Sequence, residues 1–498
     1  MIVMKFGGSS VESGDAIARL ADIVESQRAR NPVVVVSALG KTTDRLLEFA
    51  EEARRGGRYQ ASKILDELQE YHFDVAEQVA QGAILDWLER SLQRSFRDLR
   101  VMLFEVAEEG RELTPALQDE IVSFGERMSS EIVTAAVQTA GTDAVHVDAR
   151  QLILTDDHHT RATPLYWGCY AKLRRAILPL SENRVVVLGG FIGSTENGAT
   201  TTLGRGGSDL TASIVGAGIS ADEIQIWTDV DGMLTCDPRV LPGGYRLKAI
   251  SYEEAATLAR AGAKVLHPET VAPAVRQRIP IVIRNSRRPE VEGTRITEVT
   301  PACSNPVKAI ACKSDLTVLE LRPRDGADPD KLATALAEMC ARHGMPAEFL
   351  SRSSDAIFLA LKSSARYQNL PFELSGCLEV HLHLASAILT LAGQGISSAP
   401  DTASRAIVAL NPISAIAVSG IPAGNAVSLI VPNKELKRAA GILHREFFGR
   451  VDPSVFVESP DQPFQKPEPF SSFVESTDRA SRLATNRRPH PLRVVSQN

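Results

Sequence analysis

Short β-rich runs alternate with helical patterns at the start of the chain. Ile2 to Phe6 reads as a strand, and within Val11 to Gln27 the residues Ile17, Leu20, Ala21 and Val24 recur at helical spacing. Val33 to Val36 is then wholly apolar, the pattern of a strand buried on both faces, so a β-α-β crossover opens the protein. From Thr43 to Gly125 almost no strand signal survives. Leu, Ala, Glu, Arg and Gln repeat with helical period, broken near Arg54–Gly57, which predicts a helical insertion over about 44–125. Strand-like runs return at Ala144–Val147, Arg184–Leu188, Glu223–Trp227 and Pro280–Arg284, separated by helical stretches such as Leu165–Leu178 and Tyr252–Gly262. The fold class implied is α/β, an open, mostly parallel sheet with helices on both faces, over about residues 1–300.

The pattern then changes. Val307–Pro323 is β-like, Asp328–Gly344 helical and Ala347–Lys362 β-like. A similar unit follows, with a strand over Cys377–Gly395, a helix over Asp401–Leu410, a hairpin over Ser414–Pro432 and a helix over Asn433–Phe448. Two small modules are therefore expected, at 307–376 and 377–458. From Ser459 to Asn498 Pro, Ser, Arg and Gln dominate without periodicity, and a disordered tail is expected.

Composition narrows the function. With 498 residues, 44% hydrophobic and 23% charged, the chain is an ordinary globular protein too long for one core. A net charge of −6 gives no general attraction to nucleic acid or to an anionic membrane, so a small-molecule partner is expected. The first apolar run is too short for a signal peptide or a spanning helix, which predicts a cytoplasmic protein. The six cysteines stand far apart in sequence, without a C-x-x-C pair, and read as scattered reduced thiols.

Three glycine- or aspartate-rich turns carry the chemistry. Lys5-Phe6-Gly7-Gly8-Ser9-Ser10 ends a strand with a lysine and exposes backbone N–H groups before a helix, an arrangement suited to phosphate oxygens. The lysine precedes the glycines, so this is not the common phosphate loop. Thr200 to Asp209 places Arg205 and Asp209 on a thin glycine loop, where an arginine can grip a carboxylate with two hydrogen bonds. Trp227 to Arg239 is an Asp-rich turn at the carboxyl end of a strand, a place for a nucleotide. It lacks the closing Glu and central Gly of a calcium loop. Glu126, in Ser123–Ser130, is expected at a helix start or in its first turn. Lys264, in Gly262–Pro268, is expected just before a Pro-limited helix end. His158-His159, after Asp156-Asp157, is given no metal role, because adjacent residues on an extended or turning chain point apart. Chemistry alone leaves a nucleotide-dependent transferase.

In this order and spacing the five segments resemble the aspartokinases of the amino acid kinase family, over about Met1 to Gly449. The resemblance implies transfer of the γ-phosphoryl of ATP, with Mg²⁺, to the side-chain carboxylate of L-aspartate, the first step towards lysine, threonine and methionine. It implies that Lys5 and the turn Gly7, Gly8, Ser9 contact the transferring phosphoryl group, with Asp209 orienting Lys5. Ser37, Thr43, Glu126, Arg205, Gly207 and Ser208 would hold aspartate, Arg205 on its α-carboxylate and Glu126 facing its ammonium. Thr228, Asp229, Arg239 and Lys264 would line the nucleotide site, where Leu234 replaces the tyrosine of many relatives. The carboxylate of the substrate is already ionised, so no general base is needed, and the lack of cage-like carboxylate spacing suits Mg²⁺ held by phosphates and water. Kinases of the same fold acting on glutamate, N-acetylglutamate or a nucleoside monophosphate, and an amino-acid sensor with an inactive kinase domain, are the competing readings.

The modules after Val307 resemble ACT domains, which implies an amino-acid effector such as lysine or threonine and a homodimer or higher oligomer formed through them. Charged Asp328–Lys331 stands where the family has a small-residue turn, and Ser353-Ser354-Asp355 replaces a Ser-Glu-containing segment. Gly393–Ser398 and Gly424–Val431 keep more of the family pattern.

Overall fold

The computed structural model describes residues 1–107, 113–263, 266, 268–323, 334, 336, 338, 340, 347–352, 356–362, 378–413, 415, 417–420 and 424–458. Lys264, Asp328–Lys331, Ser353–Asp355 and the tail from Ser459 lie outside the described residues, as does most of the expected helix over Asp328–Gly344.

The first half runs β1 (Ile2–Phe6), α1 (Gly14–Ser26), β2 (Pro32–Val36), α2 (Thr42–Arg54), α3 (Arg58–Val79), α4 (Gly82–Ala107), α5 (Pro115–Thr139), β3 (Ala144–His146), α6 (Tyr166–Ser181) and β4 (Val185–Gly189). A small antiparallel pair, β5 (Ile192–Ser194) with β6 (Thr200–Thr202), precedes α7 (Gly207–Ile219) and β7 (Glu223–Thr228). Then come β8 (Tyr245–Leu247), β9 (Ala249–Ser251), α8 (Tyr252–Arg260), α9 (Ala272–Arg276), β10 (Ile281–Asn285) and β11 (Thr294–Thr297). The main sheet has the order β3-β4-β2-β1-β7-β10-β11-β9, with only the β10–β11 pair antiparallel.

The apolar strands have this character because helices cover both sides of the sheet. Ile2, Met4, Phe6, Val34 and Val36 belong to the core under α1 to α5, whereas Val3, Val33, Val35, Ile224 and Ile226 belong to the core on the α6–α7 side. Alternate side chains thus enter opposite cores, and each fully buried Val or Ile contributes about 1.5–3 kcal/mol. Ser13 caps α1 by accepting from Ala16 N, and Thr114 caps α5 ahead of Pro115. Between β2 and β3 the described chain is helical from α2 to α5, and α2 ends at Arg54 with α3 starting at Arg58, beside the break expected near Arg54–Gly57. One expectation fails: Glu126 lies in the middle of α5, not in a first turn. The helix begins earlier, at the Thr114-Pro115 cap, and its central turns are buried on nearly every side, so no polar face marks where it starts.

The second half holds β12 (Ala309–Pro323), β13 (Ala347–Arg352), β14 (Ile357–Lys362), β15 (Leu378–Ala392), α10 (Thr402–Ala409), β16 (Ala417–Gly420), β17 (Ala426–Pro432), α11 (Leu436–Phe448) and β18 (Phe456–Glu458). Six of these strands form one antiparallel sheet in the order β13-β14-β12-β15-β17-β16. The long strands β12 and β15 pair along most of their length, which makes that sheet continuous.

The two halves are sewn together. Lys308 and Glu254 form a buried ion pair at 3.0 Å, and Gln394 N donates to the other carboxylate oxygen of Glu254 at 2.7 Å. Glu254 also completes the capping box of α8 with Ser251. His444 on α11 bonds Thr235 at 2.8 Å, and β18 pairs with β8. Among the described residues no helix is long and apolar enough to cross a membrane.

Candidate active site

Parallel strands deliver their following loops to one edge. Phe6 is in register with Val36 on one side and Trp227 on the other, and Val36 with Gly189. The turns after β1, β2, β4 and β7 therefore meet at the carboxyl edge of the sheet, where ligands bind in open α/β folds.

Lys5 and Asp209 meet there. Lys5 Nζ lies 2.7 Å from Asp209 Oδ1, with side chains 12% and 17% exposed, so the pair is shielded yet reachable. A Cβ placed on Gly7 would stand 3.7 Å from the same Nζ, which sets the ammonium beside the glycine turn. The turn is tied to β7 by Gly7 N donating to Trp227 O at 3.2 Å, and Gly8, Ser9 and Ser10 form a short 3-10 turn. Asp209 reaches Lys5 from the first turn of α7, whose cap, Gly206, has φ 72, a conformation glycine adopts without strain. The N-terminus of α7 adds its partial positive charge beside the lysine.

Ser208, next on the same turn, accepts from Ser37 Oγ at 3.0 Å, while Ser129 on α5 donates to Ser37 O at 2.7 Å. Gly190 makes this approach possible, because a Cβ there would lie 2.6 Å from Ser208 Cβ. Glu126 is buried against the end of β4 and is bonded by the backbone of Ala38. Burial pushes its carboxyl up to about 8, and its Oε2 has no hydrogen-bond partner among the described residues. Arg205 is exposed between the left-handed Gly204 and Gly206 and has no ion-pair partner among the described residues; Thr43 sits half-buried in the first turn of α2.

A second set lies beyond β7. Thr228, Asp229, Leu234, Arg239, Gly262 and Ile310 line a cavity of ≈ 410 Å³ between the Asp-rich turn, the end of α8 and the start of β12. Arg239 is held by Asp237, Nε to Oδ1 at 2.9 Å. Asp231 is not available to a ligand: it is buried, accepts from Asn285 Nδ2 at 2.7 Å and is paired with Arg288.

Several supporting contacts carried no sequence signal. Ser10 and Ser286, 2.8 Å apart and buried, bind the phosphate-type turn to the end of β10, and Ser286 Oγ also donates to Thr228 O at 3.1 Å. Buried Asp119 accepts from Thr202 Oγ1 at 2.6 Å and Thr160 N at 2.8 Å, holding the loop beside β6. Phe191, after the Gly189-Gly190 pair, has φ 63, an uncommon conformation for a bulky residue. The two adjacent histidines turn to different carboxylates, His158 to Asp156 at 3.0 Å and His159 to Asp119 at 2.9 Å.

A model of the amino acid kinase family matches residues 1–285. Lysine-sensitive aspartokinase 3 of Escherichia coli K12 is 31% identical over 458 residues, covering 90% of this chain and 99% of that protein. Chloroplastic aspartokinase 1 of Arabidopsis thaliana is 31% identical over 478 residues, covering 92% and 82%. Among solved structures, E. coli aspartokinase III in complex with aspartate and ADP (R-state) matches at TM-score 0.75 and 30% identity over 90% of this chain and 100% of that one. The same enzyme with lysine and aspartate (T-state) matches at TM-score 0.76 and 31% identity, over 90% and 99%.

Proposed function

This chain belongs to the amino acid kinase family and, within it, to the aspartokinases, and from that premise we propose how its own residues carry the reaction. The γ-phosphoryl of ATP passes to the side-chain carboxylate of L-aspartate, giving 4-phospho-L-aspartate and ADP. That carboxylate is ionised at neutral pH and attacks without a general base, so catalysis rests on alignment and on cancelling charge. Lys5 places its ammonium on the transferring phosphoryl oxygens, supported by the N–H groups of Gly8 and Ser9, while Gly7, whose own N–H is taken by Trp227 O, lets the phosphoryl group approach closely. Asp209 keeps the Lys5 side chain aimed at that point. The 2.7 Å Lys5–Asp209 pair at the meeting of the two glycine turns is the observation that carries this reading.

Aspartate lies between α7 and the turn after β2, held by Ser37, Thr43, Gly207 and Ser208, with Arg205 on its α-carboxylate. Glu126 receives its ammonium, the cation that the buried unpartnered oxygen lacks. Thr228, Asp229 and Arg239 take the nucleotide in the cavity beyond β7, and Lys264, outside the described residues, is assigned to the same nucleotide. Across the glycine and aspartate turns Asp209 is committed to Lys5, Asp231 to Asn285 and Arg288, and Asp237 to Arg239, so the donor set fits Mg²⁺ carried on the ATP phosphates and water. Bound in this way Mg²⁺ supplies further charge neutralisation on the phosphates.

We assign the C-terminal sheet to ACT-like modules that take an amino-acid effector, lysine or threonine, and pair between subunits. An effector that prefers one arrangement of these modules shifts activity by its differential affinity, passed through the Glu254 junction. ADP release measured against an amino-acid panel tests the substrate assignment. Turnover with aspartate and not with glutamate is expected, whereas no turnover with any carboxylate would support the sensor reading. The same assay with added lysine or threonine, beside the sedimentation behaviour of the chain, tests the modules.

A further inference from the structure

Cys236 and Cys312 are far apart in sequence and were expected to be scattered, yet the fold sets them side by side. Cys236, in the loop after β7, forms an isolated parallel bridge with Ile310 on β12, fixed by Ile310 N donating to Thr235 O at 2.7 Å. Residues two apart on a strand share a face, so Cys312 projects on the side of Ile310 and lies diagonal to Cys236. Both line the ≈ 410 Å³ cavity, Cys236 buried and Cys312 half-buried. We propose that Cys236 and Cys312 are an oxidisable thiol pair, a disulfide site that ties the C-terminal sheet to the wall of the nucleotide cavity.

The oxidant is a small disulfide of the glutathione class entering through the cavity. One cysteine, as thiolate, attacks it, forming a mixed disulfide and releasing one thiol. The second cysteine attacks the mixed disulfide, the protein S–S bond forms, and a second thiol leaves. The protein loses two hydrogens and the entering disulfide gains them. A hydrogen bond with Cys236, and then burial, push the Cys312 thiol up, so the attacking thiolate is scarce at neutral pH and the reaction quickens in alkaline solution. Ideal diagonal neighbours on parallel strands stand about 8 Å apart at Cα. A disulfide needs about 4.4–6.8 Å, so closure draws β12 towards the loop by roughly 1 to 4 Å. That loop carries Asp237 and Arg239, so the bond reshapes the cavity.

The effect on activity rests on the nucleotide reading of the cavity, whereas formation of the bond does not. The test treats the full chain with oxidised glutathione at mildly alkaline pH, blocks free thiols with iodoacetamide and maps the peptides by mass. Expected is a cross-linked peptide pair carrying Cys236 and Cys312, removed by dithiothreitol and absent from both Cys312→Ser and Cys236→Ser, with kcat/KM for ATP lost on oxidation and regained on reduction. Alkylation of both cysteines after this treatment, or a stable glutathione adduct on either one alone, would overturn the pair. If ADP fails to slow a cross-link that does form, the pair stands and the nucleotide belongs elsewhere.

Discussion

At the scale of single residues the site is built from charges that would be expensive apart. Lys5 and Asp209 are mostly withdrawn from water, and each makes the other tolerable there. Replacing Lys5 with Ala removes the cation from the transferring oxygens. It should lower kcat about 10²–10³-fold, the usual loss for one preorganised electrostatic donor, with the KM for aspartate nearly unchanged in steady-state assays. A near-normal kcat would remove Lys5 from the mechanism. Glu126 makes a pH prediction. Burial raises its pKa from 4.5 to about 8, so between those values the free enzyme holds a proton that the solvated group would release. Binding the aspartate ammonium favours the ionised form and expels that proton. The apparent KM for aspartate should therefore fall as pH rises towards about 8, and the trend should be absent in Glu126→Gln. The same shift favours the folded state below pH 4.5, and that contribution is lost as pH climbs through about 8.

At the scale of elements, glycines let turns approach where side chains would hold them apart. A Cβ on Gly190 would meet Ser208 Cβ at 2.6 Å and Cα at 2.8 Å, so the α7 turn itself would have to shift. Gly190→Ala should cost about 1–3 kcal/mol of stability by denaturant unfolding, as overpacking does. It should also raise the KM for aspartate by displacing Ser208 from Ser37. Unchanged kinetics would detach this contact from substrate binding. The glycine turns were legible because few residue types serve such geometry. The mid-helix position of Glu126 was not, because the helix that carries it is buried on almost all sides and presents no polar stripe to set its phase. The contact of Ser10 with Ser286 was equally silent, since a serine reads the same whether solvated or joined to another across the sheet.

At the scale of the whole molecule, a buried ion pair is among the contacts that join the halves. Lys308 is 4% and Glu254 0% exposed, and Glu254 also accepts from Ser251 N and Gln394 N. Lys308→Ala would strand a buried carboxylate and should destabilise by about 3–5 kcal/mol in denaturant titrations. Double replacement with Glu254→Gln should recover part of that loss. His72 and His444 are buried, and burial depresses both from 6.5 to about 4. The unfolded chain then binds more protons than the folded one between those values, so stability is full above about pH 6.5 and falls as pH drops towards about 4. Each histidine contributes up to about 3 kcal/mol to that fall. Urea midpoints across this range should show it, with a shallower slope in His72→Phe.

Hydrophobic period, turn chemistry and the order of the glycine and aspartate motifs determined the α/β sheet, its helical insertion and the residues placed at its carboxyl edge. These are local consequences of side-chain shape and burial, written within a few residues of where they act. The tertiary structure alone decided which other distant groups came together: Gln394 and Lys308 with Glu254, Asp119 with His159, and Cys312 with Cys236 on the wall of one cavity. Such pairs depend on strand order and crossover geometry, and those arise from packing the entire chain, so no stretch of sequence contains them.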